Sequence, residues 1–275
     1  MTRFLVLSPH PDDEVVGCAA AIRRALAAGD HGFVLHLTTG LPAAGTLWPW
    51  QRRCHRARTA RRRAEAECAA AALGVVPLGF QDWPSRTLKH HLDEALALIH
   101  GLITGQGIDA LWVPAWEGAH QDHDVANFIG ARFANALPVI EFAEYNFAGA
   151  RVRANEFPFT DGTERHLFLS AAERRWKADL LAVYRSERAN LAHCRVTQET
   201  LRPLAAYDYA RPPHPGLLFR ERFHWVPLNH PRIDFEPSSA VRIALEHSYR
   251  LSSLPTDAAP RRPRIGISEP SSGLR

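Results

Sequence analysis

Six residues in two short clusters carry groups able to hold a cation and move a proton: His10, Asp12 and Asp13, and, about a hundred residues later, His120, Asp122 and His123. The first cluster stands in Pro9-His10-Pro11-Asp12-Asp13-Glu14, directly after the apolar run Leu5-Val6-Leu7. One acid in the first turn of a helix answers the helix dipole; it does not require a neighbouring acid and an imidazole as well. The flanking prolines hold His10 extended and fix its direction. His10 and Asp13 are three residues apart across a strand-to-helix turn, and His120 and His123 have the same spacing, which puts each pair on one face. Two imidazoles and one carboxylate, from His10, Asp13 and His123, leave an open position on a tetrahedral or five-coordinate Zn²⁺ or another divalent ion, the arrangement of a catalytic metal. Asp12 can then serve as general base toward an acidified water. His120, if protonated, can stabilise an oxyanion or act as the acid, and Asp122 can hold the second nitrogen of an imidazole.

The surrounding elements must bring these clusters together. Strands are expected at 3–8, 33–38, 75–80, 108–113 and 139–145, with helices at 13–28, 52–73, 88–103 and from about 124 to 135. That alternation predicts an α/β, Rossmann-like, mostly parallel sheet with helices on both faces. Ligands of such sheets collect beyond the carboxyl ends of the strands, and both clusters follow directly after strands. Residues 1–251 read as a single domain in which 146–251 shape the substrate pocket. Within it 151–169 suggest a hairpin excursion, 171–184 an amphipathic helix, and 201–226 no clear period. The Pro-, Ser- and Arg-rich segment 252–275 reads as a disordered tail.

Composition narrows the classes. Of the 275 residues, 46% are apolar, enough for a sizeable core, and the net charge is +4. All basic residues but Lys89 and Lys177 are arginine, and a mild positive balance does not by itself mark a nucleic-acid binder. Cys18, Cys54, Cys68 and Cys194 lack paired spacing and read as reduced, mostly buried packing residues. With no signal-peptide pattern and no stretch suited to a membrane span, the expected location is the cytoplasm.

Together, Pro9-His10-Pro11-Asp12-Asp13-Glu14 and His120-Gln121-Asp122-His123 resemble the PIG-L (LmbE-like) family of zinc-dependent N-deacetylases. The likeness extends over about 3–145 and includes Arg62-x-x-Glu65 before Leu73-Gly74, and Leu78-Gly79-Phe80-Gln81-Asp82. It implies hydrolysis of an N-acetyl group from an N-acetylglucosamine-type amino sugar or conjugate, with release of acetate. By the same resemblance His10, Asp13 and His123 are metal ligands, Asp12 is the base, His120 with Asp122 is the oxyanion-stabilising pair, and Arg62 and Asp82 contact the sugar. Gln121 departs from the family's usual His-Pro-Asp-His, and Tyr184-Arg185-Ser186-Glu187 from its frequent His-x-Ser-Gln.

Two other readings compete. A non-haem iron(II) oxygenase would use two histidines and a carboxylate, but its first His and acid normally stand two apart on a β-barrel strand. A non-catalytic binder of acidic glycan or nucleic acid would use the helix carrying Arg52, Arg53, Arg56, Arg58, Arg61, Arg62 and Arg63; that run also fits a solvated helix face. Trp48, Trp50, Trp83 and Trp116 fall in loops at the expected active rim, suited to sugar stacking or to loop anchoring.

Overall fold

The computed structural model describes residues 1–192, 194–219, 221, 233 and 236–251; the tail expected at 252–275 lies outside them. In chain order the elements are β1 (Arg3–Ser8), α1 (Asp13–Ala27), β2 (His31–His36), α2 (Pro49–Arg52), α3 (His55–Leu73), β3 (Val76–Phe80), α4 (Leu92–Gln106), β4 (Ala110–Pro114) and α5 (Gln121–Ala131). They continue with β5 (Val139–Phe142), β6 (Tyr145–Asn146), β7 (Arg153–Ala154), β8 (Arg165–Phe168), α6 (Ala171–Val183), α7 (Arg188–Leu191), β9 (Gln198–Pro203) and α8 (Ser238–Leu251).

Seven strands form one sheet in the order β3-β2-β1-β4-β5-β9-β8, parallel through β5, with β9 antiparallel to β5 and β8 antiparallel to β9. β1 shows why the sheet is covered on both sides. Phe4, Leu5, Val6 and Leu7 are all at most 1% exposed, and their alternation sends Leu5 and Leu7 into one core and Phe4 and Val6 into another. The first core takes in Leu92, Ala95 and Ile99 of α4, Val125 and Ile129 of α5, and Val241 of α8. The second takes in Ile22 of α1, Ala66 and Ala70 of α3, and Leu180 of α6. The small residues of α1 and α3 let these helices lie close to the sheet.

The mostly parallel α/β sheet read from the sequence is therefore present, with local differences. Residues 151–169 do not form a hairpin with each other: β7 pairs with β6 in a separate two-stranded ribbon, and β8 joins the main sheet through β9. β9 escaped the sequence reading because its inward residues are polar. Glu199, Thr200 and Arg202 are fully buried, and Arg202 Nε donates to Glu141 Oε1 of β5 at 2.6 Å. The helix expected at 52–73 is broken into α2 and α3, and α4 starts late because 88–90 form a 3-10 turn. Only Cys18 of the four free cysteines is buried; Cys54 and Cys68 are exposed on or beside the Arg-rich helix and Cys194 is half-buried, so packing explains just the first.

α1 is not continuous. Cys18 has φ −146° and ψ 20°, and Gly17 before it lies against the end of β5, where a Cβ would come 2.2 Å from the Phe142 ring. Phe142 is fully buried and cannot yield. Gly17→Ala is expected to destabilise the fold by roughly 1–3 kcal/mol, because the overpacking outweighs the gain in helix propensity. Thermal denaturation checks this: an unchanged or higher midpoint would show that β5 can move aside.

Candidate metal centre

The strand order reverses at β1 and β4: β2 and β3 lie to one side of β1, and β5 to the far side of β4. β1 and β4 are neighbours in parallel register, Phe4 to Ala110 through Val6 to Trp112. The two chemical clusters leave the carboxyl ends of these adjacent strands and meet in the crevice between α1 and α5.

Each cluster is shaped by its helix start. After β1, His10 N donates to Asp13 Oδ2 at 2.7 Å, folding the turn so that both side chains face one point. Glu14 is fully buried beneath it and accepts from Ser8 Oγ at 2.9 Å and from the Tyr184 hydroxyl. After β4, His120 caps α5 and its Nδ1 accepts from Asp122 N at 3.1 Å; His123 follows one turn later.

Four donor atoms from three residues converge. His10 Nδ1 lies 3.2 Å from Asp13 Oδ2, His123 Nε2 lies 3.3 Å from His10 Nδ1, and Asp13 Oδ1 lies 3.4 Å from His123 Nε2. Bonds of about 2.0–2.1 Å to one tetrahedral ion separate their ligands by roughly 3.3 Å, close to each of these distances, with Asp13 turning a different oxygen to each imidazole. The residues are 8%, 4% and 2% exposed respectively, so the site is screened but open on one side. His120 stands at that side, its ring 4.4 Å from the His10 ring and edge-on to it, and His10, His120 and His123 also bring donors within 4.8 Å of one another.

The electrostatics have the same sense. Burial would depress His10, yet Asp13 and Asp122 overcome it and push its pKa up to about 10, the signature of a pocket that attracts positive charge. Burial would raise Asp13, but His123 and His10 hold its carboxyl well below the usual range. Burial raises Asp12 well above that range against the pull of Arg62. His120 is pushed well down by burial and by the charge of His10, so it sits as a neutral imidazole whose Nδ1 is already accepting a hydrogen bond. Its remaining nitrogen, Nε2, is then the N–H donor.

Asp122 orients an imidazole, and that imidazole is His10. Its Oδ2 is 3.0 Å from His10 Nε2 against 3.8 Å from His120 Nδ1, and the same oxygen accepts from Arg86 N at 2.6 Å and Ser85 Oγ at 3.1 Å. Arg86 has φ 73°, a left-handed conformation that turns its N–H toward the carboxylate. No sequence signal marked Ser85 or Arg86.

Arg62 is 2% exposed rather than open to a ligand. Its guanidinium packs against Gly40, donates to Pro11 O at 2.8 Å, lies 3.4 Å from Asp12 Oδ2 and pairs with Glu187. Glu187 and Tyr184, the departures from the family pattern, thus tie the 184–187 turn to Arg62 and Glu14. Asp82 is exposed in the loop that leads to Ser85. Trp116 is a buried anchor, Trp83 stacks on His91, and Trp48 stacks on Trp50, which is 66% exposed.

Comparison with known proteins bears on the family and the fold. Residues 5–134 match the family model described as PIG-L, GlcNAc-PI de-N-acetylase. This stretch is a PIG-L family domain. It holds all six residues of the two clusters, and the elements after it complete the sheet. The fold is similar to the zinc-inhibited form of teicoplanin deacetylase Orf2 (20% identity, TM-score 0.57, covering 75% of this chain and 99% of that one). It is also similar to A40926 pseudoaglycone deacetylase Dbv21 (20% identity, TM-score 0.57, 75% and 99%). A third relative in fold is N,N'-diacetylchitobiose deacetylase from Pyrococcus horikoshii (15% identity, TM-score 0.53, 77% and 84%). None of the curated protein sequences matches the chain. Among the described residues no helix is long and apolar enough to cross a membrane.

Proposed function

We propose that the PIG-L domain of this protein is a metal-dependent N-deacetylase that hydrolyses the acetamide of an N-acetylglucosamine-type sugar or conjugate to a free amine and acetate. The observation that carries this reading is the triangle of His10, Asp13 and His123 donors with a second carboxylate, Asp12, beside it. A divalent cation held there, Zn²⁺ by the chemistry of its two nitrogens and one oxygen, would supply Lewis acidity to a water and to the acetyl carbonyl.

Asp12 has no place in the triangle and lies within the field of both Asp13 and His10. It takes a proton from the attacking water and returns it to the amine nitrogen as the C–N bond breaks, so one water is consumed and no net proton is released within the site. The Nε2–H of neutral His120, left over once Nδ1 accepts from Asp122 N, donates to the carbonyl oxygen as negative charge gathers there. Asp122, clamped by Ser85 and Arg86, keeps Nε2 of His10 occupied and Nδ1 turned inward. Arg62 acts on substrate through Asp12, which it holds, rather than by direct contact. Asp82 and the Trp48–Trp50 pair are free to meet the rest of the sugar conjugate.

Two measurements test the reading together. Dialysis against a chelator should abolish acetate release from a panel of N-acetylglucosamine conjugates, and added Zn²⁺ should restore it. His10→Ala should reduce bound metal from about one ion per chain to a trace, with activity lost in parallel. Acetate release that survives chelation would defeat the metal-dependent reaction. A protein that binds zinc yet frees no acetate from any conjugate would defeat the deacetylase.

A further inference from the structure

Glu144 stands two residues past β5, on the same rim as the two clusters, and is 2% exposed. Its backbone is pinned from both sides: its N–H donates to Glu117 Oε1 at 3.3 Å, and its C=O accepts from Asn155 N at 2.8 Å. The side chain passes over Gly17, where an added Cβ would come 3.1 Å from Glu144 Cγ, so nothing larger at that position would let it through unchanged. It ends opposite His123, with Oε2 3.9 Å from His123 Nδ1.

Among the described residues, His123 Nδ1 and Glu144 Oε1 are both buried and both lack a hydrogen-bond partner. A buried polar group left unmade costs about 1–3 kcal/mol, and the Glu144 carboxylate stands next to the unpaired Nδ1, its nearer oxygen being Oε2 and its unpartnered one Oε1. His10 shows the closed form of the same arrangement. Its Nδ1 points into the donor triangle while its Nε2 is held by Asp122 at 3.0 Å. His123 presents the mirror case, with Nε2 in the triangle and Nδ1 outward.

We propose that Glu144 is the positioning residue for His123: it accepts the Nδ1–H and so fixes the tautomer that turns Nε2 toward the cation. The proposal rests on the cation-binding reading above. Each imidazole of the centre then has its own buried carboxylate, Asp122 from α5 for His10 and Glu144 from beyond β5 for His123. Carboxylates in this relation to ligating histidines typically change metal affinity 10–100-fold when removed.

The test titrates the full-length wild type, Glu144→Ala and Glu144→Gln with Zn²⁺ against a chromophoric chelator, and reads the histidine ring tautomers by ¹⁵N–¹H NMR of the zinc-loaded proteins. Glu144→Ala should bind Zn²⁺ about 10–100-fold more weakly, while Glu144→Gln, which keeps an acceptor oxygen, should lose less than about tenfold and retain the Nδ1–H signal of His123. Should Glu144→Ala not fold, the isosteric Gln variant decides by its tautomer signal alone. The proposal is overturned if Glu144→Ala binds within about twofold of wild type, or if His123 carries its proton on Nε2 in the zinc-loaded protein. It is equally overturned if Glu144→Gln is as weak as Glu144→Ala, the behaviour of a direct ligand. A wild-type chain that binds no Zn²⁺ defeats the metal centre itself, a result separable from tight wild-type binding with indifferent variants.

Discussion

Asp12→Asn is expected to lower kcat for acetate release by about 10²–10⁴ while leaving close to one cation per chain, because a base is lost and no ligand is touched. In the proposed centre His10 Nδ1, Asp13 and His123 Nε2 converge, and Asp12 is not among them. Asp12 instead lies 3.4 Å from Arg62 Nη2, and an amide of the same shape keeps that contact without accepting a proton. The backbone adds a second, opposite effect. Asp12 has φ 137° and ψ −25°, a conformation that strains a residue with a Cβ by about 1–3 kcal/mol. Asp12→Gly should therefore be as inactive as the Asn variant yet raise the thermal midpoint, the pattern of strain kept for function. Activity assays, metal analysis and calorimetry on the two variants check this. Retention of more than about a tenth of wild-type kcat in Asp12→Asn, or loss of its metal, would remove Asp12 from the role of base.

Lys177→Met is expected to cost about 3–5 kcal/mol. Lys177 and Glu199 are both fully buried and 2.6 Å apart. They repair the break in α1. Lys177 Nζ donates to Val16 O at 2.8 Å, and the Glu199 oxygens accept from Ala20 N and Ala21 N, each at 2.9 Å. The kink at Cys18 would otherwise strand those backbone groups where no water reaches. Methionine fills the same volume but leaves the Glu199 carboxylate buried without its counter-charge. At 2–4 °C per kcal/mol for a domain of this size, the thermal midpoint should fall by roughly 10 °C. The double variant Lys177→Met with Glu199→Gln should regain part of this, since the uncompensated charge rather than the lost bond carries most of the cost. A fall of under about 2 °C in the single variant would mean that the pair is solvated or replaceable.

Legibility in the sequence followed how local the governing interactions are. The apolar run 4–7, bounded by the acidic turn, is visible because a strand covered on both faces must be apolar at every position. His10, Asp13, His120 and His123 stood out because their donor types and three-residue spacing have few uses other than a shared ligand. β9 was not legible, since Glu199, Thr200 and Arg202 are buried by pairing with Lys177, Asn155 and Glu141, partners between 22 and 61 residues away. Arg62 was legible as important but not as to how: that it is sealed beneath the site by Glu187 depends on the turn after α6 folding back over α3.

The amino-acid sequence by itself determined the elements, their apolar faces and the inventory of ligating and proton-moving groups, because periodicity and residue chemistry act over a few residues. Only the tertiary structure decided which groups meet. The reversal of strand order at β1 and β4 sets His10 and Asp13 against His123, gives Asp122 to His10, and brings Glu144 from the end of β5 to face His123. Those pairings span between 21 and 113 residues, and no spacing along the chain encodes a distance closed by sheet order and helix packing.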